Sequence, residues 1–290
     1  MALIPPGYLN TVVALGSASK EGAMQYTATG FLYGYPSGET NESGAKMYRV
    51  YLVTNRHVYE KAAKQEAPLQ ARLNRPMGTV SKLYSIPLKG TDGSDSWFVH
   101  PDPEADVAVL PVNTRLLEAD GIEFEFFAHD VNTFTLAQAR EIEVSEGDGV
   151  FVLGFPLGEA GDERNYVVAR QGIMARVQDW AKGNARTFLI DASVFPGNSG
   201  GPVLLKPELT SITGTKRNDR CGLIGMVSSY MPYREIAISV QTERPRMIFE
   251  ENSGLAIVVP PNVIQEAVEV AFNGRNSTGE SAADLQQVGK

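Results

Sequence analysis

The stretch Pro196-Gly197-Asn198-Ser199-Gly200-Gly201-Pro202 fits neither the interior of a helix nor that of a strand, and its neighbours must be arranged around it. Thr187-Phe188-Leu189-Ile190 before it and Val203-Leu204-Leu205 after it read as short strands. Glycine permits backbone angles closed to other residues and lets another chain approach closely. A serine held in such a turn presents its hydroxyl outward, while flanking N–H groups can converge on one point. That is the arrangement that stabilises an oxyanion in acyl transfer. The same string also serves as a plain Gly-rich turn between strands, so the rest of the chain has to decide.

A serine hydroxyl is a poor nucleophile at neutral pH and needs a base. The chain offers three histidines, His57, His100 and His129. His57 ends the apolar run Leu52-Val53-Thr54-Asn55-Arg56-His57, where a rigid strand can hold it at the edge of a cleft. His100 and His129 lie in polar, loop-like surroundings and read as structural. The three are too scattered for a zinc site, and neither metal nor cofactor is expected. Asp106 directly precedes Val107-Ala108-Val109-Leu110 and is pulled toward the core edge, where a carboxylate must be paired. Asp102 sits between Pro101 and Pro103 in an exposed turn, and Asp191 lies on the strand entering the serine turn; both read as structural.

Strand-like segments recur at 11–15, 25–33, 47–54, 107–112, 149–154 and 167–176, with Gly and Pro between them and a turn expected at Tyr35-Pro36-Ser37-Gly38. Long helices do not alternate with them, which excludes a doubly wound sheet and points to an all-β sandwich or barrel. Short helical stretches are expected at 55–64 and 135–140. Residues 117–144 and 231–253 read as insertions, and 262–272 as a helix opened by Pro261. The polar residues 273–290 read as a flexible tail. The net charge of −8 opposes a nucleic-acid or anionic-membrane partner. The lone Cys221 allows no intrachain disulfide and reads as a buried small hydrophobe. No signal peptide or apolar span is visible at the sequence level, so the expected location is cytoplasmic.

The order His57, Asp106, Ser199, with its flanking sequences, resembles the trypsin-like serine peptidases, most closely their HtrA-type bacterial branch. The resemblance rests on Thr27-Ala28-Thr29-Gly30, Thr54-Asn55-Arg56-His57-Val58, Asp106-Val107-Ala108-Val109, Gly154-Phe155-Pro156-Leu157-Gly158, the serine turn, Leu223-Ile224-Gly225-Met226 and Gly254-Leu255-Ala256-Ile257. It implies two packed six-stranded antiparallel barrels, at about 8–115 and 145–260, within a peptidase domain over 1–272. It also implies a triad of His57, Asp106 and Ser199 in the cleft, with an oxyanion hole from the Gly197 and Ser199 amides. Val194, Ser228, Ser229, Tyr230 and Met231 would line the primary pocket, and with no carboxylate among them a small or medium apolar side chain is expected there. Two departures stand out. Asn198 replaces the aspartate that binds a freed N-terminus in trypsin-type zymogens, so no activating cleavage is implied. The PDZ domains and export signal usual in the HtrA-type branch have no counterpart in these residues, so the resemblance does not by itself imply its trimeric, peptide-sensing behaviour, and the oligomeric state stays open. The expected activity is serine endopeptidase action on a polypeptide substrate, constitutive or partner-regulated with residues 117–144 as the lever. The competing expectation is a catalytically silent, chaperone-like peptide binder.

Overall fold

The computed structural model describes residues 3–19, 23–65, 68–90, 93–208, 210, 213–278 and 285–286. The first half comprises β1 (Val12–Ala18), β2 (Met24–Thr40), β3 (Lys46–Thr54), α1 (Arg56–Lys64), β4 (Leu69–Leu73), β5 (Lys82–Ile86), β6 (Phe98–Val99), β7 (Ala108–Pro111) and α2 (Thr114–Ala119). A connection carrying β8 (Phe127–Ala128) and α3 (Leu136–Glu141) leads to the second half. That half holds β9 (Gly149–Gly154), β10 (Val168–Arg176), α4 (Gln178–Ala181), β11 (Phe188–Asp191), β12 (Pro202–Leu205), β13 (Gly222–Ile238) and β14 (Pro245–Val259). It ends in α5 (Pro261–Thr278) and β15 (Leu285–Gln286), the latter paired with β3.

The second half closes as a six-stranded barrel in the order β10-β11-β14-β13-β12-β9. Its strands are β-branched and aromatic, and Val150, Val152, Phe188, Ile190, Ile224 and Val258 fill it. The first half is one antiparallel sheet in the order β5-β4-β1-β2-β3-β7-β6. It curls until β5 and β7 face each other across an apolar cavity of about 250 Å³ lined by Leu32, Leu52, Ile86 and Leu110. A third apolar cluster joins the halves: Phe31 and Val53 from the first, Leu153, Phe155 and Met226 from the second, and Val263, Ile264 and Ala267 of α5. This is the double-barrel, chymotrypsin-like architecture with a C-terminal helix. Among the described residues no helix is long and apolar enough to cross a membrane.

Three local expectations differ from the structure. The chain does not turn at 35–38, because β2 continues to Thr40 with Tyr35 opposite Arg49 and Pro36 opposite Tyr48. Proline is tolerated there because β1 ends its pairing at Phe31 and β8 takes that edge of β2 only at Tyr33 and Gly34, short of Pro36. The turn instead follows Asn41, whose Oδ1 accepts the Ser43 and Ala45 amides while Gly44 takes a positive φ of 80°. Residues 231–253 are not an irregular insertion but a ribbon formed by the outer parts of β13 and β14. The C-terminal helix runs past 272 to Thr278, so the expected tail begins within it; residues 279–284 and 287–290 lie outside the described residues. The short helix near 135 is present, closed by a capping box between Thr135 and Gln138. Cys221 is buried, and burial pushes its thiol up to about 12.

Arg72 on β4 clasps the halves together. Only 4% exposed, it donates Nε–H to Asn165 Oδ1 at 2.7 Å and Nη2–H to the carbonyls of Ala160 and Gly161 at 2.7 and 2.8 Å. Asn165 returns a bond from Nδ2 to the Arg72 carbonyl at 2.6 Å, and the guanidinium lies over the Tyr26 ring. A planar fork of donors suits several carbonyls at once, and a lysine ammonium does not reproduce it. Arg72→Met should therefore lower unfolding free energy in urea by about 2–4 kcal/mol, with Arg72→Lys recovering less than half of the loss.

Candidate active site

Strand β3 ends in the buried pair Thr54 and Asn55, and α1 starts directly afterwards, so His57 lies in its first turn. Asp106 precedes β7, the neighbour of β3, which places its carboxylate at that first turn. Asp106 Oδ1 accepts the His57 backbone N–H at 3.0 Å, and Oδ2 lies 2.9 Å from His57 Nδ1. A carboxylate at a helix N-terminus is favoured by the helix dipole as well as by the bond itself. With Nδ1 protonated toward Asp106, the neutral ring presents its lone pair at Nε2.

Ser228 on β13 donates its hydroxyl to Asp106 Oδ2 at 2.6 Å. Asn55 Nδ2 donates to the Asp106 carbonyl at 3.0 Å. Burial pulls the Asp106 carboxyl upward, but the bonds from His57 and Ser228 outweigh it and hold the group below the ordinary aspartate range. Asp102 does not approach His57: its Oδ2 faces Arg186 at 3.4 Å and its Oδ1 accepts the Glu104 amide. Asp191 is exposed at the end of β11. Nor does either remaining histidine approach the site. His100 is buried with Nε2 toward Glu266 and Arg186, and His129 pairs with the Tyr33 hydroxyl at 2.6 Å.

The serine turn is a type II turn. Asn198 N–H returns to Phe195 O at 3.0 Å, Pro196 occupies the second position, and Gly197 has φ of 101°. The Pro196 carbonyl accepts the Leu157 amide at 2.7 Å. Across that trans peptide the Gly197 N–H points the opposite way, away from Leu157. Neither the Gly197 nor the Ser199 amide donates to another group among the described residues. Leu157 itself sits at φ of 58°, a left-handed conformation that costs roughly 1–2 kcal/mol in a non-glycine residue. Asn198 is buried, and its Oδ1 accepts the Phe195 amide at 3.1 Å, bracing the turn without a charge. Ser199 Oγ makes no hydrogen bond among the described residues; in ligand-free sites the nucleophile–base contact is often long and tightens with substrate.

Thr29 on β2 holds this turn against the first half. Its N–H donates to Ser199 O at 2.8 Å and its Oγ1 donates to Gly197 O at 2.7 Å, while Oγ1 accepts the Phe155 amide at 3.2 Å. Thr54 Oγ1 in turn donates to the Thr29 carbonyl at 2.8 Å. The fit is close: a Cβ on Gly200 would stand 2.0 Å from the Thr29 carbonyl oxygen. One bracket therefore fixes both Ser199 and, three residues beyond Thr54, His57. Thr29 and Thr54 fall within the motifs quoted above, but nothing in their spacing assigns them this role.

The expected pocket residues separate. Val194 is buried and its carbonyl accepts Asn252 Nδ2 at 2.6 Å. Ser228 directs its hydroxyl to Asp106 instead of a pocket wall, and Ser229 and Met231 are exposed on β13. Tyr230 donates to Glu250 Oε1 at 3.2 Å, and the other oxygen of that carboxylate holds Arg234 Nε at 2.8 Å. Glu250 was not among the residues singled out from the sequence.

A family model of the trypsin-like peptidase domain matches residues 28–208. The chain belongs to that family. The match runs from β2 through the serine turn to the end of β12, and thereby includes His57, Asp106 and Ser199. No curated protein matches the chain. Membership supports a peptidase hydrolase.

Two outcomes follow from this geometry. Thr29→Val keeps the side-chain shape but strands the Gly197 carbonyl and the Phe155 amide, each buried. It should cost about 1–3 kcal/mol in thermal or urea unfolding, and Thr29→Ser should restore most of it. The second concerns acid. A carboxyl held below its unfolded value near 3.9 contributes stability that is present above that pH and is lost as pH falls through the folded value. Ser228→Ala removes one of the donors responsible. Its melting temperature should fall below that of the unaltered protein near pH ~6, and the gap should close toward pH ~2 as Asp106 protonates.

Proposed function

We propose that the chain is a serine endopeptidase. The observation that carries this is one carboxylate, Asp106, bonded at once to the His57 ring, the His57 amide and Ser228, in a chain whose serine turn leaves the Gly197 and Ser199 amides without an acceptor among the described residues. His57 Nε2 takes the Ser199 hydroxyl proton as Oγ adds to the scissile carbonyl. The Gly197 and Ser199 amides receive the resulting oxyanion, and because the turn is already fixed by Thr29 and Leu157 they need no reorganisation at that moment. His57 then gives its proton to the leaving amine, and the acyl group stays on Ser199 until His57 activates a water to release it. Throughout, Asp106 keeps Nδ1 protonated and balances the imidazolium.

The motifs flanking His57, Asp106 and Ser199 support a reading toward the HtrA-type branch of the family. Its preferred residue before the scissile bond is small or medium and apolar. Val194 offers an apolar wall, and Glu250, which accepts the Tyr230 hydroxyl, is already paired with Arg234. An arginine or lysine substrate would have to compete for that carboxylate, and an unpaired buried charge is very costly. The preassembled turn speaks for cleavage over silent peptide binding.

Ser199→Ala should abolish peptide hydrolysis and fluorophosphonate labelling while leaving the melting temperature unchanged. Asp106→Asn should lower kcat by about 10⁴-fold through the wrong imidazole tautomer, whereas Asp102→Asn should leave it nearly intact. Equal losses in the two aspartate variants would remove Asp106 from its role. Cleavage of a mixed peptide library should show Val, Ala or Leu before the cut; a dominant Arg or Lys would show that Glu250 exchanges Arg234 for substrate.

A further inference from the structure

The ladder of the first barrel does not close. Strand β5 pairs with β4, and β7 pairs with β3 and β6, so no ladder joins β5 to β7 among the described residues. The sequence supplies the reason. Pro87 directly follows β5 and Pro111 ends β7. Neither has an N–H, so both edges lack a donor at the seam. Behind the seam lies the apolar cavity of about 250 Å³. Val13, Leu32, Leu52 and Ala71, all buried, form its inner wall, and Leu110 with the half-exposed Leu116 of α2 stands nearer its mouth.

Protein interiors are close-packed, and a void of this size forfeits contacts along every wall. Water is a poor filler, because a buried water needs several polar partners. Of the lining residues only Tyr84, Ser85 and Asn113 carry a polar side-chain atom. The Tyr84 hydroxyl is taken: it donates to Asp120 Oδ2 at 2.7 Å, and Lys82 Nζ holds Asp120 Oδ1 at 2.6 Å. Ser85 and Asn113 are exposed and belong to the rim. A polypeptide strand is a poor filler too, since in this seam it meets the same missing donors. What fits is a molecule that is apolar along its length and needs no ladder. Its one polar end is uncharged, because Lys82 and Asp120 already neutralise each other at that lip.

We propose that the first barrel is a binding site for an aliphatic chain with an uncharged polar end. The chain fills the cavity, and the polar end rests at the rim beside Ser85 and Asn113. The same chemistry is offered by a free amphiphile and by the acyl chain of a lipid ester. The site is separate from the cleft, since none of His57, Asp106 and Ser199 lines it. On β3, Leu52 faces the cavity, whereas its neighbour Val53 belongs to the cluster that joins the halves. The inference therefore stands independently of the peptidase reading. An apolar cavity of about 150 Å³ accepts the six carbons of benzene, and by that scale this one takes a chain of about ten carbons.

The test is a series of 1-alkanols, from butanol to dodecanol, titrated into the full chain and followed by the NMR signals of its leucine and valine methyls. Saturable one-to-one binding is expected. Kd should fall ~3–4-fold for each added carbon, the worth of one buried methylene, up to about ten carbons and stay level beyond. Decanol should move the methyl signals of Leu32, Leu52 and Leu110 and raise the melting temperature. Ala71→Leu, which fills the cavity from its inner wall, should raise Kd for decanol by about tenfold or more. Leu116→Trp should do the same from the mouth, at a half-exposed residue that can change without disturbing the core. Protein treated with a fluorophosphonate should bind decanol as before. Failure of that labelling would count against the peptidase reading and leave the alkanol result standing. Vesicles of phosphatidylcholine separate the two sources. Co-flotation lost in Ala71→Leu gives the site to a lipid's acyl chain, and no co-flotation gives it to a free amphiphile; either upholds the site. Affinity that climbs without a break, shifts that never saturate, or a series unchanged in both variants would overturn the proposal.

Discussion

The site depends on the hydrogen bonds of one threonine. Thr29 uses its amide on the Ser199 carbonyl and its hydroxyl on the Gly197 carbonyl and the Phe155 amide. All of these groups are too close-packed for water to replace Thr29, so each bond lost leaves an unsatisfied polar atom. Each of those carbonyls shares its peptide plane with the next residue's N–H, so Thr29 fixes the Gly197–Asn198 and Ser199–Gly200 planes on either side of the serine. That is how a residue of the first half holds a turn of the second.

The same logic explains why two barrels are needed. His57 and Asp106 belong to β3, α1 and β7, whereas Ser199 and Ser228 belong to the turn before β12 and to β13. Each half carries an incomplete set. Asp106 collects donors from both, from His57 on its own side and from Ser228 on the other, so its carboxylate joins the two halves at the site. Docking is secured away from the chemistry by Arg72 and by the apolar cluster that includes α5. Rigid elements on both sides leave the reacting groups little freedom to drift, which catalysis by positioning requires.

Much of this was legible in the residues. Glycine and proline around Ser199 exclude regular structure, and an acid immediately before an apolar strand must find a partner, so the contact of Asp106 with His57 could be anticipated. What was not legible depends on contacts distant in sequence. Thr29 is an ordinary strand residue until Ser199, far along the chain, is packed on it. Ser228 reads as a small pocket wall, and only the meeting of β13 with Asp106 turns its hydroxyl away. Residues 231–253 read as an insertion because Pro232, Pro245 and scattered charges interrupt strand periodicity. They form a ribbon nonetheless, because bulges absorb the interruptions and continuity with the barrel strands sets the register.

Asn198 shows how the turn can stand without an added charge. An aspartate at this buried position would need a cation beside it, since a buried carboxylate without a partner is strongly disfavoured. Such a cation could arrive only from another segment, and the turn would then wait for it. The neutral amide instead accepts the Phe195 N–H within its own turn, and Leu157 adds the bond to the Pro196 carbonyl at the expense of a left-handed backbone. Strain in Leu157 and an unpaired Asn198 Nδ2 are what this arrangement costs locally. Both are tolerated because the bracket through Thr29 over-determines the turn, and the serine is therefore held by contacts present as soon as the two halves have folded together.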